Sequence, residues 1–244
     1  MKTKLGVFLV GASLLGSSFA MGEVIVEGEL AYVSKYVFRG LQQSRDAVQA
    51  SVALDFNPIY LGVWGNVPVR DSSDSEEINL YAGWRQPLTE RLTADFGATL
   101  YWYGNQPVDT RRSQEVFAGL RFNFFEDAVR SLDGKATFYY DVRREKLTAE
   151  AAILFSHELE SLPVLVSLGA FFGLVDARDL FPDSGTRVKE SYHYTGYSLE
   201  GTYMIDSRTQ IRLGVAYGDV GNYIPGTQNL QGNWWYRAAF HIFF

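Results

Sequence analysis

Ser191 and His193 stand one residue apart in "SYH", a spacing that puts a hydroxyl nucleophile and an imidazole base on one face of a β-strand. An esterase or phospholipase acting on envelope lipid could be built on such a pair. A base also needs an orienting partner and an oxyanion hole, and the sequence offers no motif for either. An interfacial histidine flanked by Tyr192 and Tyr194 is the plainer reading. His157 and His241 are too scattered to complete a zinc motif, there are no cysteines, and no Gly-rich phosphate loop follows a strand. "RDSSDSEE" at 70–77 carries carboxylates without the ligand spacing of a calcium loop. It reads as a solvated acidic loop, and no cofactor or metal is expected.

A second chemistry is spread along the chain, where charges of both signs recur on the polar side of alternating segments. Glu29, Lys35 and Arg39 lie in the first segment, Asp55 in the second, Glu77 and Arg85 in the fourth, and Arg91 and Asp95 in the fifth. Glu115 and Arg121 follow in the sixth, Glu150 in the eighth, Glu200 in the tenth, Arg212 in the eleventh and Arg237 in the twelfth. Facing a common wet space, these side chains would line a pore for small hydrophilic solutes or ions. Paired with one another, they would instead fill it.

The elements that must position them have a period of two, the period of a β-strand. In "LTADFGATLYW" the apolar Leu92, Ala94, Phe96, Ala98, Leu100 and Trp102 alternate with Thr93, Asp95 and Thr99. The same alternation persists through twelve segments, from about 24–38 to "WWYRAAFHIFF" at 234–244. The ninth, 164–174, is the least two-sided, and a buried helix is its alternative. In the first, Tyr32, Tyr36 and Phe38 oppose Lys35 and Arg39; the aromatic side is predicted to face lipid, with Gly40 opening the first outer loop.

Connections after even-numbered segments are mostly tight, such as Asn57-Pro58 and "DSR" at 206–208, with one longer stretch at about 125–134. Those after odd-numbered segments are mostly long and polar, beginning with "GLQQSRD" at 40–46 and ending with "GDVGNYIPGTQNLQGN" at 218–233; "RREK" at 143–146 is the short exception. Alternating turns and loops predict an all-β, antiparallel up-and-down transmembrane barrel of about 12 strands spanning 21–244. A soluble sandwich also alternates, but it does not explain aromatics gathered at both strand ends. Tyr36, Phe38, Trp102, Trp234 and Tyr236 would form one girdle, and Phe56, Trp84, Phe122, Phe124, Phe240 and Phe244 the other. Phe244, in step with Phe240 and Tyr236, looks like the C-terminal signal read by the barrel-assembly machinery.

"MKTKLGVFLVGASLLGSSFA" at 1–20 reads as a secretory signal peptide: Lys2 and Lys4, an apolar run, then Ser18-Phe19-Ala20 as a small-x-small cleavage site. Without the two lysines the formal charge of −6 becomes −8, which offers no basic field for nucleic acid. The expected setting is the outer membrane of a Gram-negative cell, with lipid, lipopolysaccharide and small solutes as partners and no nucleic acid.

"YVSKYVFRGLQQS" at 32–44 resembles the N-terminal signature of the TorF-type porins, a group of Gram-negative outer-membrane proteins. The match runs through Val33-Ser34, Tyr36, Phe38-Arg39-Gly40 and Gln43-Ser44, and departs from it at Lys35, where an acidic residue is common. The resemblance implies a pore without a known solute. A narrow diffusion channel that is not an enzyme is the leading expectation, with a non-conducting structural or adhesive barrel, or a lipid hydrolase, as alternatives. If the turn near Asp206 centres its hairpin on that residue, Glu200 and Arg212 face each other as an ion pair in the lumen.

Overall fold

The computed structural model describes residues 24–70, 76–104, 111–177, 190–221 and 232–244. The signal-peptide reading of 1–20 and most of the acidic loop lie outside the described residues. Twelve antiparallel strands follow one another: β1 (Ile25–Phe38), β2 (Leu41–Phe56), β3 (Ile59–Pro68), β4 (Glu77–Pro87), β5 (Leu92–Tyr103), β6 (Arg112–Glu126), β7 (Arg130–Asp141), β8 (Lys146–Glu158), β9 (Val164–Ala177), β10 (Glu190–Met204), β11 (Thr209–Val220) and β12 (Asn233–Phe243). Each pairs with its sequence neighbours, and β1 pairs with β12 to close the sheet into a barrel. The ninth segment is therefore a strand, and no helix occurs among the described residues.

Alternation fixes which face of each strand turns outward. Leu80, Phe96, Leu120, Phe138, Leu168 and Leu213 are exposed on the outside, whereas Glu77, Asp95, Glu115, Thr137, Ser167 and Arg212 are buried inside. A barrel with apolar residues outward and polar ones inward inverts a water-soluble protein, and it suits a sheet surrounded by hydrocarbon.

The turns at one end are all short, and side-chain oxygens shape them. Asp55 Oδ1 accepts from Asn57 N, Thr89 Oγ1 from Leu92 N, Asp127 Oδ1 from Arg130 N and Asp206 Oδ1 from Arg208 N, at 2.7–3.0 Å. These are the local turns that Asp and Thr favour. The stretch expected to be a longer connection at 125–134 is one of them. β6 runs on to Glu126 and β7 starts at Arg130, because a bulge between Asn123 and Phe125 restores the pairing beyond the apparent break.

The opposite end differs from expectation at the first hairpin. Residues 40–46 are not a loop: Phe38 pairs with Leu41 across a two-residue turn, Arg39-Gly40, and β2 begins at once. Both turn residues have left-handed backbones, φ 50° at Arg39 and 79° at Gly40. That is the combination that matches the twist of a tight hairpin.

Candidate functional site

The lumen is built from inward positions, and its carboxylates are held by tyrosine hydroxyls. Tyr60 donates to Asp95 at 2.8 Å, Tyr101 to Glu115 at 3.0 Å, Tyr36 to Glu77 at 3.1 Å and Tyr194 to Glu150 at 2.6 Å. Two of these bonds skip a strand. Tyr194 on β10 and Glu150 on β8 are both cross-strand partners of Gly173 on β9, and the ring passes over the position a side chain would occupy. A Cβ at Gly173 would stand 2.1 Å from the tyrosine Cζ. Gly83 plays the same part under Tyr60, with 2.3 Å to its hydroxyl. In the sequence Tyr60 alternates with Ile59 and Leu61, and Tyr194 shares the parity of Glu200; a tyrosine on the polar parity two strands from a carboxylate, with glycine between, is the signal that encodes these bonds.

At the short-turn end the charges form a network. Glu29 accepts from Arg237 and lies 3.5 Å from Arg212, and Arg237 reaches Glu200 at 3.7 Å. Arg85 pairs with Asp55 at 2.9 Å, with its guanidinium 4.3 Å above the Tyr60 ring. His241 Nε2 lies 3.3 Å from Glu27. The expected facing pair of Glu200 and Arg212 is not formed as such: Glu200 pairs in register with Gly214, and Arg212 with Thr202. Asp206 opens the turn by accepting Arg208 N and so is not its centre, which moves the register by two. Both charges stay inside the barrel and belong to one network through Glu29 and Arg237.

At the other end, the first hairpin folds into the barrel. Tyr36 and Phe38, expected in the lipid-facing girdle, turn inward instead. Tyr36 is 3% exposed and its ring packs on Trp64 at 5.2 Å between centroids; Phe38 lies 6.1 Å from Tyr101. A bulge between Tyr36 and Val37 shifts the pairing and ends the simple alternation that the prediction extended. Arg39 crosses to β6, where its guanidinium fork grips both Glu115 oxygens at 2.6 and 2.8 Å and stacks 4.3 Å over Tyr139. Both partners are buried. Removing one member of such a pair costs about 3–5 kcal/mol, since the other is left as an uncompensated charge. Gly40 presses on the far wall, where a Cβ would meet Tyr194 and Val220 at 2.7 Å; only glycine fits both that contact and its positive φ.

Glu29, Lys35, Arg39, Asp95, Glu115, Glu200 and Arg237 border a central cavity of about 240 Å³, along with Lys135 and Glu150. Glu77 and Arg85 on β4, Arg121 on β6 and Arg212 on β11 occupy inward positions of their strands. Arg91 differs from the rest of the expected set, being exposed in the short turn before β5. Lys135, which the sequence reading left out of the set, faces Arg121 directly across β6 and β7. Ser191 and His193 do not form a dyad: Ser191 donates to Asp176 at 2.6 Å, and the His193 ring lies 6.1 Å from Phe172 on the outer face. No cluster able to hold a metal ion occurs among the described residues.

Residues 18–146, more than half of the chain, match the family model described as "Bacterial protein of unknown function (Gcw_chp)". No curated protein matches the chain. Among solved structures, the COG4313 outer membrane channel from Pseudomonas putida F1 is similar with a TM-score of 0.56, at 12% identity over 93% of this chain and 97% of that one. The NanC porin is similar with a TM-score of 0.54 at 8% identity, over 89% of this chain and 98% of its own. The KdgM porin gives 0.54 at 10% identity, over 88% and 98%. At these identities the likeness is one of fold: a closed antiparallel barrel of the outer-membrane porin type.

Proposed function

Since the chain belongs to the Gcw_chp family of bacterial proteins of unknown function, we propose a function from its lumen: a narrow outer-membrane diffusion channel for small hydrophilic solutes or ions. The observation that carries this reading is the cavity of about 240 Å³ enclosed by the barrel and bordered by charges of both signs. A 12-strand barrel lies between filled 8-strand barrels and the wide 16- to 18-strand porins, so the solutes are small. The porin-type fold of the structural neighbours supports the setting. In this reading residues 1–20 export the chain, lipid and lipopolysaccharide surround the barrel, and the strand ending at Phe244 is handed to the assembly machinery. The stretch through Phe38-Arg39-Gly40 is then a TorF-type signature.

At "SYH" the serine hydroxyl donates to Asp176, which leaves the lipid-hydrolase reading without its Ser–His pair. A non-conducting barrel is the second reading, favoured by the first hairpin lying in the mouth between Glu115 and Tyr194. Recording from the refolded protein in a planar bilayer separates the two. Discrete conductance steps are expected, and silence from inserted protein, both intact and with its first hairpin trimmed, would sink the channel.

A further inference from the structure

The tip of the first hairpin is held mainly by side chains. β1 pairs with β12 as far as Val33↔Arg237, and β2 pairs with β3 from Ala47↔Pro68. Beyond those points residues 34–46 pair across the hairpin itself, tied to the wall backbone at the base by Val69 N donating to Asp46 O and Tyr236 N donating to Ser34 Oγ. The tip therefore leaves the sheet and seats itself inside it. Its seat is partly apolar, with Val37 packed among Val175, Tyr192, Tyr194, Val220 and Trp235, and partly ionic, through Arg39 and Glu115. Asp46 at the base has a left-handed backbone, φ 43°, where the strand turns out of the wall. Directly beneath the tip lies the cavity, bordered by Val37, Phe38, Arg39 and Gly40.

We propose that residues 35–45 are a docked plug that leaves its seat to open the long-loop mouth, and that the Arg39–Glu115 pair is its latch. The proposal rests on the channel reading and adds regulation to it. Movement of the tip breaks no ladder between barrel strands, because none joins it to β3 or β12. Undocking also hydrates both buried charges, and solvation of two separated ions offsets most of what a buried pair gains by contact. The latch holds by geometry: a planar fork on a planar carboxylate, with Tyr101 fixing the same Glu115 from the side.

The test uses two variants of the full-length protein refolded into a planar bilayer. One replaces residues 35–45 by Asn-Gly, joining Ser34 to Asp46 through a tight turn and removing the plug. The other, Arg39→Met with Glu115→Leu, removes both charges of the latch and leaves none orphaned. Heat modifiability on gels confirms insertion of each. Wild type is expected to be closed most of the time, with open probability rising at least tenfold in both variants. Equal conductance and open probability in all three proteins would overturn the plug and leave the channel standing. Silence from all three when inserted would overturn the channel, and the plug with it. A trimmed variant that opens while the double variant behaves as wild type would place the hold in the rest of the seat, the packing around Val37 and the Tyr36–Glu77 hydrogen bond, and overturn the latch. If the trimmed variant does not insert, the double variant, which keeps the whole hairpin, decides the question alone.

Discussion

The Tyr194 hydroxyl reaches the Glu150 carboxylate at 2.6 Å by passing over Gly173, the residue paired with both. Gly173→Ala puts a methyl group where the ring lies, and overpacking of this kind costs about 1–3 kcal/mol. Gly201→Ala is the control, since a Cβ there meets nothing within 4 Å. Urea midpoints of the refolded barrels should fall for the first and stay near wild type for the second. Equal midpoints would mean that the Tyr194 ring can move aside freely.

A charge on the outer face should impair insertion. Phe96 is exposed at mid-strand on β5, and an arginine at the mid-depth of a lipid-facing strand costs about 2–4 kcal/mol. Phe96→Arg is expected to lower folding yield into vesicles, while Thr99→Arg, on the inward parity of the same strand, is tolerated better. Wild-type yield for Phe96→Arg would remove the evidence that this face meets hydrocarbon.

Selectivity should follow Arg237 more than Arg212. Both contact Glu29, but Arg237 borders the cavity while Arg212 is 1% exposed. Unit charges 4 Å apart interact by about 1 kcal/mol in bulk water and about 4 kcal/mol at an effective dielectric of 20, and a wet lumen falls between. Arg237→Ala should shift the reversal potential under a salt gradient toward cations, and Glu200→Ala toward anions, both in the hairpin-trimmed background. Arg212→Ala should appear instead as lost stability, below the about 3–5 kcal/mol of an uncompensated buried charge, because Arg237 still pairs with Glu29. Unchanged reversal potentials in the first two would take the Glu29–Arg237–Glu200 network off the conducting path.

Acid should loosen the short turns. In the turn between β6 and β7, hydrogen bonds from the Val129 backbone, then from the Arg130 side chain and backbone, hold the Asp127 carboxyl down at about 2, against an ordinary 3.8. Asp206 is lowered too, first by the Arg208 backbone. A depressed folded value means that the contribution is complete above the unfolded value and is lost as pH falls through the folded one. Urea midpoints of wild type should therefore decline between about pH 4 and about pH 2, and part of that decline should vanish in Asp127→Asn. An identical pH profile in the variant would show that the turn is not linked to folding.

How much the sequence disclosed depended on whether each residue saw two different environments. Strands such as β5, with lipid-like surroundings outside and water-like ones inside, carry a strict alternation from Leu92 to Trp102, and the strand count and facing follow from it. Residues 41–46 see neither: they pair with their own hairpin partner inside the barrel, so "LQQSRD" lacks an apolar parity and reads as a loop. Tyr36 kept the parity of Tyr32 in the sequence, but the bulge at Val37 and the inward bend of the tip placed it against Glu77. The Arg39–Glu115 fork joins strands that are not adjacent, and no local pattern encodes a contact made across the lumen. Register at Glu200 was missed for a smaller reason, the position of Asp206 within its turn.

The β1–β12 junction has a kinetic meaning. Each of the other pairings joins consecutive strands through a hairpin, so each can form as soon as its two strands exist. The junction brings together residues such as Ser34 and Tyr236, 202 positions apart, and closing so long a loop is slow and entropically costly. Until it closes, the chain is a curved sheet with two bare edges open to pairing with other strands. Commitment to the barrel is therefore concentrated in one late event, and substitutions along Glu27–Val33 or Arg237–Phe243 act on the rate of assembly more than on the strands already formed.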